Sequence, residues 1–200
     1  MPDIKHFDPE VALEQVEHLF WQHGAATTSI QAVASATGLN RSSLYATFGD
    51  KNELYLAALR RYFEQRANPA TRALAESSRG LPDIEDFFAG LIEVRCAGPF
   101  ARWGCMIVNA QLGVEGQDPR VRAVLEQHHE ALCAALHNAL EVARRDGQLA
   151  GNTATEPTAS VLALLAYGVN LRSRAGAGAA TLRDTVAAAL APLRRRPPGH

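Results

Sequence analysis

The stretch Thr37-Gly38-Leu39-Asn40 constrains this chain more than any other, because it leaves one glycine, one apolar residue and one capping residue between two short helical patterns. Helices joined so tightly must cross at a steep angle. Upstream, Thr28 and Gln31 have capping-box spacing and Ile30, Val33 and Ala34 share a face, which predicts a helix from about Ser29 to Thr37. Downstream, Asn40 is a fresh N-cap and Leu44 and Phe48 face inward, which predicts a third helix ending at Phe48. In a helix-turn-helix the second helix enters the major groove by its N-terminal end, so its exposed residues there must be polar and short. Arg41, Ser42, Ser43 and Thr47 meet that requirement. Arg41 can donate bidentately to guanine, the hydroxyls can pair with several bases, and the Ala46 methyl can touch a thymine methyl. Tyr45 and Lys51 suit phosphates.

The flanking segments are punctuated in the same way. Asp8-Pro9-Glu10 opens a first helix over Pro9 to His23, closed by Gly24. Asp50-Lys51-Asn52-Glu53 opens a fourth, carried by Leu54, Tyr55, Ala58, Leu59, Tyr62 and Phe63 and expected to stop near Asn68-Pro69. Leu81-Pro82-Asp83 reads as a turn and cap before a helix from about Ile84 to Cys96, and Gly98-Pro99 as a break before a helix opening at Gly104-Cys105. Asp118-Pro119 starts a long helix with Val121, Val124, Leu125, His128, Leu132, Leu136 and Leu140 on one side, running to Arg145. Two further helices are expected over about Glu156 to Arg174 and Thr181 to Arg194, with a fraying tail behind them.

Hydrophobic residues make up 47% of the 200, with many Ala and Leu and little β-type alternation, so the fold class is all-α. A formal net charge of −1 gives no overall pull toward nucleic acid. Locally, however, no Asp or Glu occurs between Glu17 and Asp50, leaving a carboxylate-free surface around Arg41. No targeting segment or membrane span is read from the chain, which places it in the cytoplasm. Cys96, Cys105 and Cys133 are an odd number and read as free thiols.

Phe20, Gly24, Thr28, Ile30, Val33-Ala34, Thr37-Gly38-Leu39-Asn40, Leu44-Tyr45, Phe48, Lys51 and Leu54 together resemble the DNA-binding domain of the tetracycline-repressor-like (TetR) family. Asn40 stands where Ser is more usual and Thr47 where His is common. The resemblance implies that Thr28, Tyr45 and Lys51 contact phosphates while Arg41, Ser42, Ser43, Ala46 and Thr47 face bases. It also implies a three-helix helix-turn-helix domain over 1–54 and an effector-binding and dimerisation domain over 55–200, about nine helices in all. The expected function is a homodimeric regulator, a repressor released from a pseudo-palindromic double-stranded operator by a small, largely apolar effector. The expected pocket residues are Phe87, Phe88, Phe100, Trp103, Cys105 and Met106, and the dimer face takes Val161, Leu164, Leu165, Val169, Val186 and Leu190. No cofactor, metal or catalytic residue is assigned.

Two other readings compete. His129, Cys133 and His137 recur at helical spacing and could lend adjacent ligands to a metal, although a partly exposed face with one small thiol explains them more simply. A helical dimer that never touches DNA would keep the body but leave Arg41, Tyr45 and Lys51 without a role. Cys105, expected in the first turn of its helix with Arg102 nearby, is a candidate reactive thiol of the kind some TetR-like repressors use to sense electrophiles. Burial as a small core residue is the alternative, and exposure decides between them.

Overall fold

The computed structural model describes residues 7–195. Their helices are α1 (Pro9–His23), α2 (Ile30–Thr37), α3 (Arg41–Phe48), α4 (Lys51–Tyr62), α5 (Asn68–Ala75), α6 (Leu81–Cys96), α7 (Met106–Leu112), α8 (Pro119–Arg145), α9 (Thr155–Arg174) and α10 (Ala179–Leu190). A π turn at Phe63–Ala67 joins α4 to α5, and 3-10 turns follow α7 at Val114–Gln117 and α10 at Ala191–Leu193. Counting α4 and α5 as one interrupted rod gives the nine helices expected. The β pairing among the described residues is an isolated antiparallel bridge, Leu149 to Arg194. The expectation of a fraying tail falls, beyond residue 195, outside the described residues.

Local chemistry explains the early boundaries. Asp8 accepts from Glu10 N at 2.9 Å, Asn40 from Ser43 N at 2.8 Å, and Asp50 from Asn52 N and Glu53 N at 2.8 and 2.9 Å. Each satisfies amides that the first helical turn leaves without partners. Gly38 takes φ +67 between α2 and α3, where glycine alone is free of Cβ strain.

The last helix spans Ala179–Leu190 against an expected Thr181 to Arg194, and three other boundaries differ for a clear physical reason. The cap of α2 is Ser29, whose Oγ accepts from Ala32 N at 3.1 Å, whereas the Thr28 hydroxyl turns inward and donates to Gly24 O at 2.7 Å. The fourth helix does not stop at Asn68-Pro69. The π turn lets Asn68 N reach Phe63 O, so Pro69 arrives in a new first turn, where its missing N–H needs no partner, and the rod continues to Ala75. Asp83 is not the cap that starts α6. The helix begins two residues earlier, and Asp83 reaches back to accept from Ser77 Oγ, Ser78 N and Arg79 N.

Two apolar clusters hold the molecule together. One joins Val16, Phe20 and Trp21 of α1 with Val33, Leu44, most of α4, α7 and the start of α8. The other packs α5, α6, α9 and α10 around Leu132, Leu136, Ala139 and Leu140 of α8. Fully burying a side chain such as Leu59 or Leu136 contributes about 1.5–3 kcal/mol. Because the first cluster extends through α4 into α7, the boundary expected between residues 54 and 55 falls inside α4, where the core is continuous. Val169, Val186 and Leu190, expected on a dimer face, are buried within their own subunit, while Val161, Leu164 and Leu171 are exposed at 62%, 62% and 37%.

Candidate nucleic-acid interface and internal cavity

The recognition surface is built on one anchored side chain. Leu44 is 1% exposed and fixes α3 against the first cluster, which turns Arg41, Ser42, Tyr45, Ala46 and Thr47 to solvent and leaves Ser43 half-buried. The Arg41 guanidinium donates to Gln31 Oε1 at 3.2 Å, so α2 holds the arginine at the N-terminal end of α3. Gln31 as that partner was not singled out from the sequence, although its spacing from Ser29 makes it an exposed position on the first turn of α2. Lys51 is half-buried at the first residue of α4. Thr28, expected at a phosphate, is 4% exposed and its hydroxyl donates to Gly24 O, while Ser29 is the exposed hydroxyl at this helix start.

Behind this surface lies a partly open cavity of about 620 Å³ bordered by α5, α6, α8, α9 and the π turn. Ala67, Ala70, Thr71 and Leu74 face it from the α4–α5 rod, Phe87, Leu91 and Arg95 from α6, and His128 and Leu132 from α8. Its volume falls in the range of small-molecule sites. Of the residues expected to line a pocket, Phe87, Phe100 and Cys105 do so. Phe88 and Met106 are instead 0% and 1% exposed inside the two clusters, and Trp103 packs on Trp21 with ring centroids 5.2 Å apart. The remaining lining residues were less legible, but Arg95 continues the buried stripe Ile84, Phe88, Ile92 of α6, and a charge on an apolar stripe is a signal the sequence carries.

Cys105 is 3% exposed and sits one residue before α7 as its N-cap. The accessible-thiol reading is therefore corrected, since the thiol is walled in and its neighbouring cation is Arg95, not the exposed Arg102. The stripe of α8 is likewise occupied by internal contacts: His129 Nδ1 lies 3.2 Å from the Tyr167 hydroxyl and Cys133 Sγ 3.7 Å from His129 Nε2. No cluster of metal-ligating groups occurs among the described residues. Burial pushes the Cys133 thiol and the Tyr167 hydroxyl up, the latter to about 12, so both are neutral at physiological pH.

Interface and cavity are mechanically joined. Glu17, 0% exposed, takes Arg61 Nη1 at 2.6 Å and Arg66 Nε at 2.5 Å, which locks α1 to the α4 rod at the π turn. Arg66 in turn lies over the Phe100 ring at 4.7 Å on the cavity wall. Trp21 Nε1 donates to Gly104 O at 2.9 Å, and Arg174 donates to Trp103 O at 2.6 Å, tying the end of α1 to the loop before α7 and to the end of α9. At the front, Glu115 accepts from Ala26 N at 2.6 Å, and Arg120 pairs with Glu53. No helix among the described residues is long and apolar enough to cross a membrane.

Comparison with known proteins follows the same division. Residues 13–58 match the family of bacterial regulatory proteins described as the tetR family, and residues 80–195 match the tetracyclin repressor-like C-terminal domain. An uncharacterized HTH-type transcriptional regulator of Bacillus subtilis, YezE, is 30% identical over 149 residues, 74% of this chain and 75% of that protein. The HTH-type transcriptional repressor ComR of Escherichia coli is 26% identical over 174 residues, 86% of this chain and 82% of its own. In fold the chain resembles a cysteine mutant of the TetR family regulator CifR complexed with 26-bp double-strand operator DNA, with a TM-score of 0.83 at 24% identity over 94% of this chain and 98% of that one. It also resembles reduced NemR of Escherichia coli, with a TM-score of 0.78 at 20% identity, covering 94% and 98%. The matched residues at both ends and the identity to YezE show that this chain belongs to the tetR family of bacterial regulatory proteins and is a DNA-binding transcriptional regulator.

Proposed function

We propose that the protein is a cytoplasmic homodimeric repressor, released from a pseudo-palindromic operator when a small, largely apolar effector fills the cavity behind Phe87 and Phe100. The observation that carries this reading is the rod of α4, π turn and α5. It begins at Lys51 beside α3, and its π turn and second half contribute Arg66, Ala67, Thr71 and Leu74 to the cavity. A ligand that shifts the rod changes the placement of Lys51 and α3 together. Linkage then requires the effector to bind the free protein more tightly than the DNA complex. The exposed pair Val161 and Leu164 on α9, with Leu171, supports a two-fold dimer there, since an unpartnered apolar face favours association. Two symmetric α3 helices would meet successive major grooves, hence the palindrome. With the exposed side chains of α3 suited to binding, the protein acts as a regulator rather than a catalyst.

Gel-shift titration against genomic fragments over a range of salt tests the reading. A specific complex should persist at moderate salt, and Arg41→Ala should cost about 1–3 kcal/mol of affinity while relaxing base preference at one symmetric position. Lys51→Ala should weaken all sequences alike and flatten the salt dependence. Unchanged affinity and preference in Arg41→Ala would remove Arg41 from base reading.

A further inference from the structure

Three arginines line the cavity wall, and they differ in how their charge is met: Arg79 is paired with Asp83 and Asp86. Arg66 is paired with Glu17. Arg95 is 7% exposed, and no carboxylate meets it: its partners are Asn170 Oδ1 at 2.6 Å, the Tyr62 hydroxyl at 3.1 Å, the Trp21 ring at 5.7 Å and the neighbouring Cys105 thiol. None of these neighbours is an acid side chain, and Arg95 takes part in no ion pair among the described residues.

Removing a guanidinium from water without a counter-ion is costly, and sequences keep such groups where something else supplies the opposite charge. Tyr62 cannot supply it, because burial drives its pKa far above the physiological range. A second polar group faces the same space. His128 lines the cavity on α8, is 7% exposed, and its Nδ1 has no hydrogen-bond partner among the described residues. Burial lowers this imidazole to about 4, so the ring adds no competing charge. The rest of the wall includes the apolar Phe87, Leu91 and Leu74, and the ion-paired Arg79, Asp83 and Asp86 also line it.

Resting on the reading of this cavity as the effector site, we propose that its ligand is an apolar acid, whose carboxylate pairs with Arg95 while its hydrocarbon or aryl body packs toward Phe87 and Leu91. The unpartnered His128 Nδ1 offers the same ligand one further hydrogen bond. A neutral hydrocarbon would leave the Arg95 charge as it stands, and a cationic ligand would add a second positive charge beside it.

The test uses the full-length protein and three probes of equal chain length, octanoate, octanol and octyltrimethylammonium, measured by calorimetry. Octanoate should bind at least about tenfold more tightly than octanol, the gain expected from one charge-assisted hydrogen-bonded pair, and octyltrimethylammonium should bind more weakly than either. Arg95→Gln should abolish the preference for the acid, and Arg95→Lys should retain it. Phe87→Ala should weaken octanoate and octanol by the same factor. Equal binding of octanoate and octanol to the wild type overturns the acid assignment while leaving the cavity as an apolar effector site. Failure of both probes to bind removes the cavity reading together with the acid. Because the wild-type preference is measured without any substitution, misfolding of Arg95→Gln would not rescue the proposal.

Discussion

The helices in front and those behind them are started by different means. Asp8, Ser29, Asn40 and Asp50 each place a side-chain oxygen on the amides that open α1, α2, α3 and α4. Of the later helices only α8, capped by Asp118, begins that way; α5, α6, α7, α9 and α10 start at Ala67, Gly80, Cys105, Ala154 and Gly178 without a side-chain cap. The DNA-reading region is thus specified by neighbours in sequence and the body by neighbours in space. A module written locally can be repeated almost unchanged, whereas a body whose helix ends are set by packing is free to reshape a cavity.

The contrast can be broken most severely at Gly80. It holds φ +73, and a Cβ there would lie 2.7 Å from Ala143 Cα and 2.8 Å from Gln148 Oε1. Gly80→Ala should therefore cost about 3 kcal/mol or more, from left-handed strain plus overlap with backbone that cannot move aside. Urea denaturation measures it, and a loss below about 1 kcal/mol would show that the start of α6 is not fixed by its packing on α8.

A smaller effect is expected at Asp83, a carboxylate that organises the loop ahead of an uncapped helix. The Arg79 backbone amide, then the Ser77 hydroxyl and the Arg79 side chain, hold its carboxyl down to about 2. A depressed folded-state value means that the contribution is present above the ordinary carboxylate range near 4 and is lost as pH falls from there toward about 2. Asp83→Asn should lower the melting temperature near neutral pH, and the difference from wild type should shrink as the solution approaches about pH 3. A difference that stays constant with pH would detach the effect from the charge.

Least costly to stability but sharpest in function is Asn40→Ala. Loss of this cap should cost about 1 kcal/mol in a melt. Because it loosens the first turn of α3, which carries Arg41, operator affinity should fall by more than the melt predicts, and Asn40→Ser should restore both. Equal losses in the two measurements would mean that the cap serves stability alone.

The same difference explains what could be read in advance. The bounds of α1, α3 and α8 follow from Asp8-Pro9, Asn40 and Asp118-Pro119, since cap, proline and apolar period agree there. The starts of α6 and α10 and the continuation past Pro69 were misplaced because Gly80, Gly178 and the π turn give no local instruction. On the recognition surface, the exposed residues of α3 followed from the inward pointing of Leu44. In the cavity, aromatic character alone could not separate Phe87, which lines it, from its neighbour Phe88, which fills the core; one step along a helix turns a side chain by about 100°.

That same step gives the π turn at Phe63–Ala67 its geometric meaning. At about 100° per residue, an unbroken helix would point the buried stripe Asn68, Thr71, Leu74 nearly opposite Leu59 and Tyr62, away from the core those residues join. The one surplus residue held in the turn swings the second stripe back by about a quarter of a revolution. The rod is therefore a crank, with two arms set at a fixed angle on one axis. A rotation imposed on the arm at Leu74 reappears at Lys51, and deleting a single residue between Phe63 and Ala67 would leave both helices intact while turning one of the two arms out of the core.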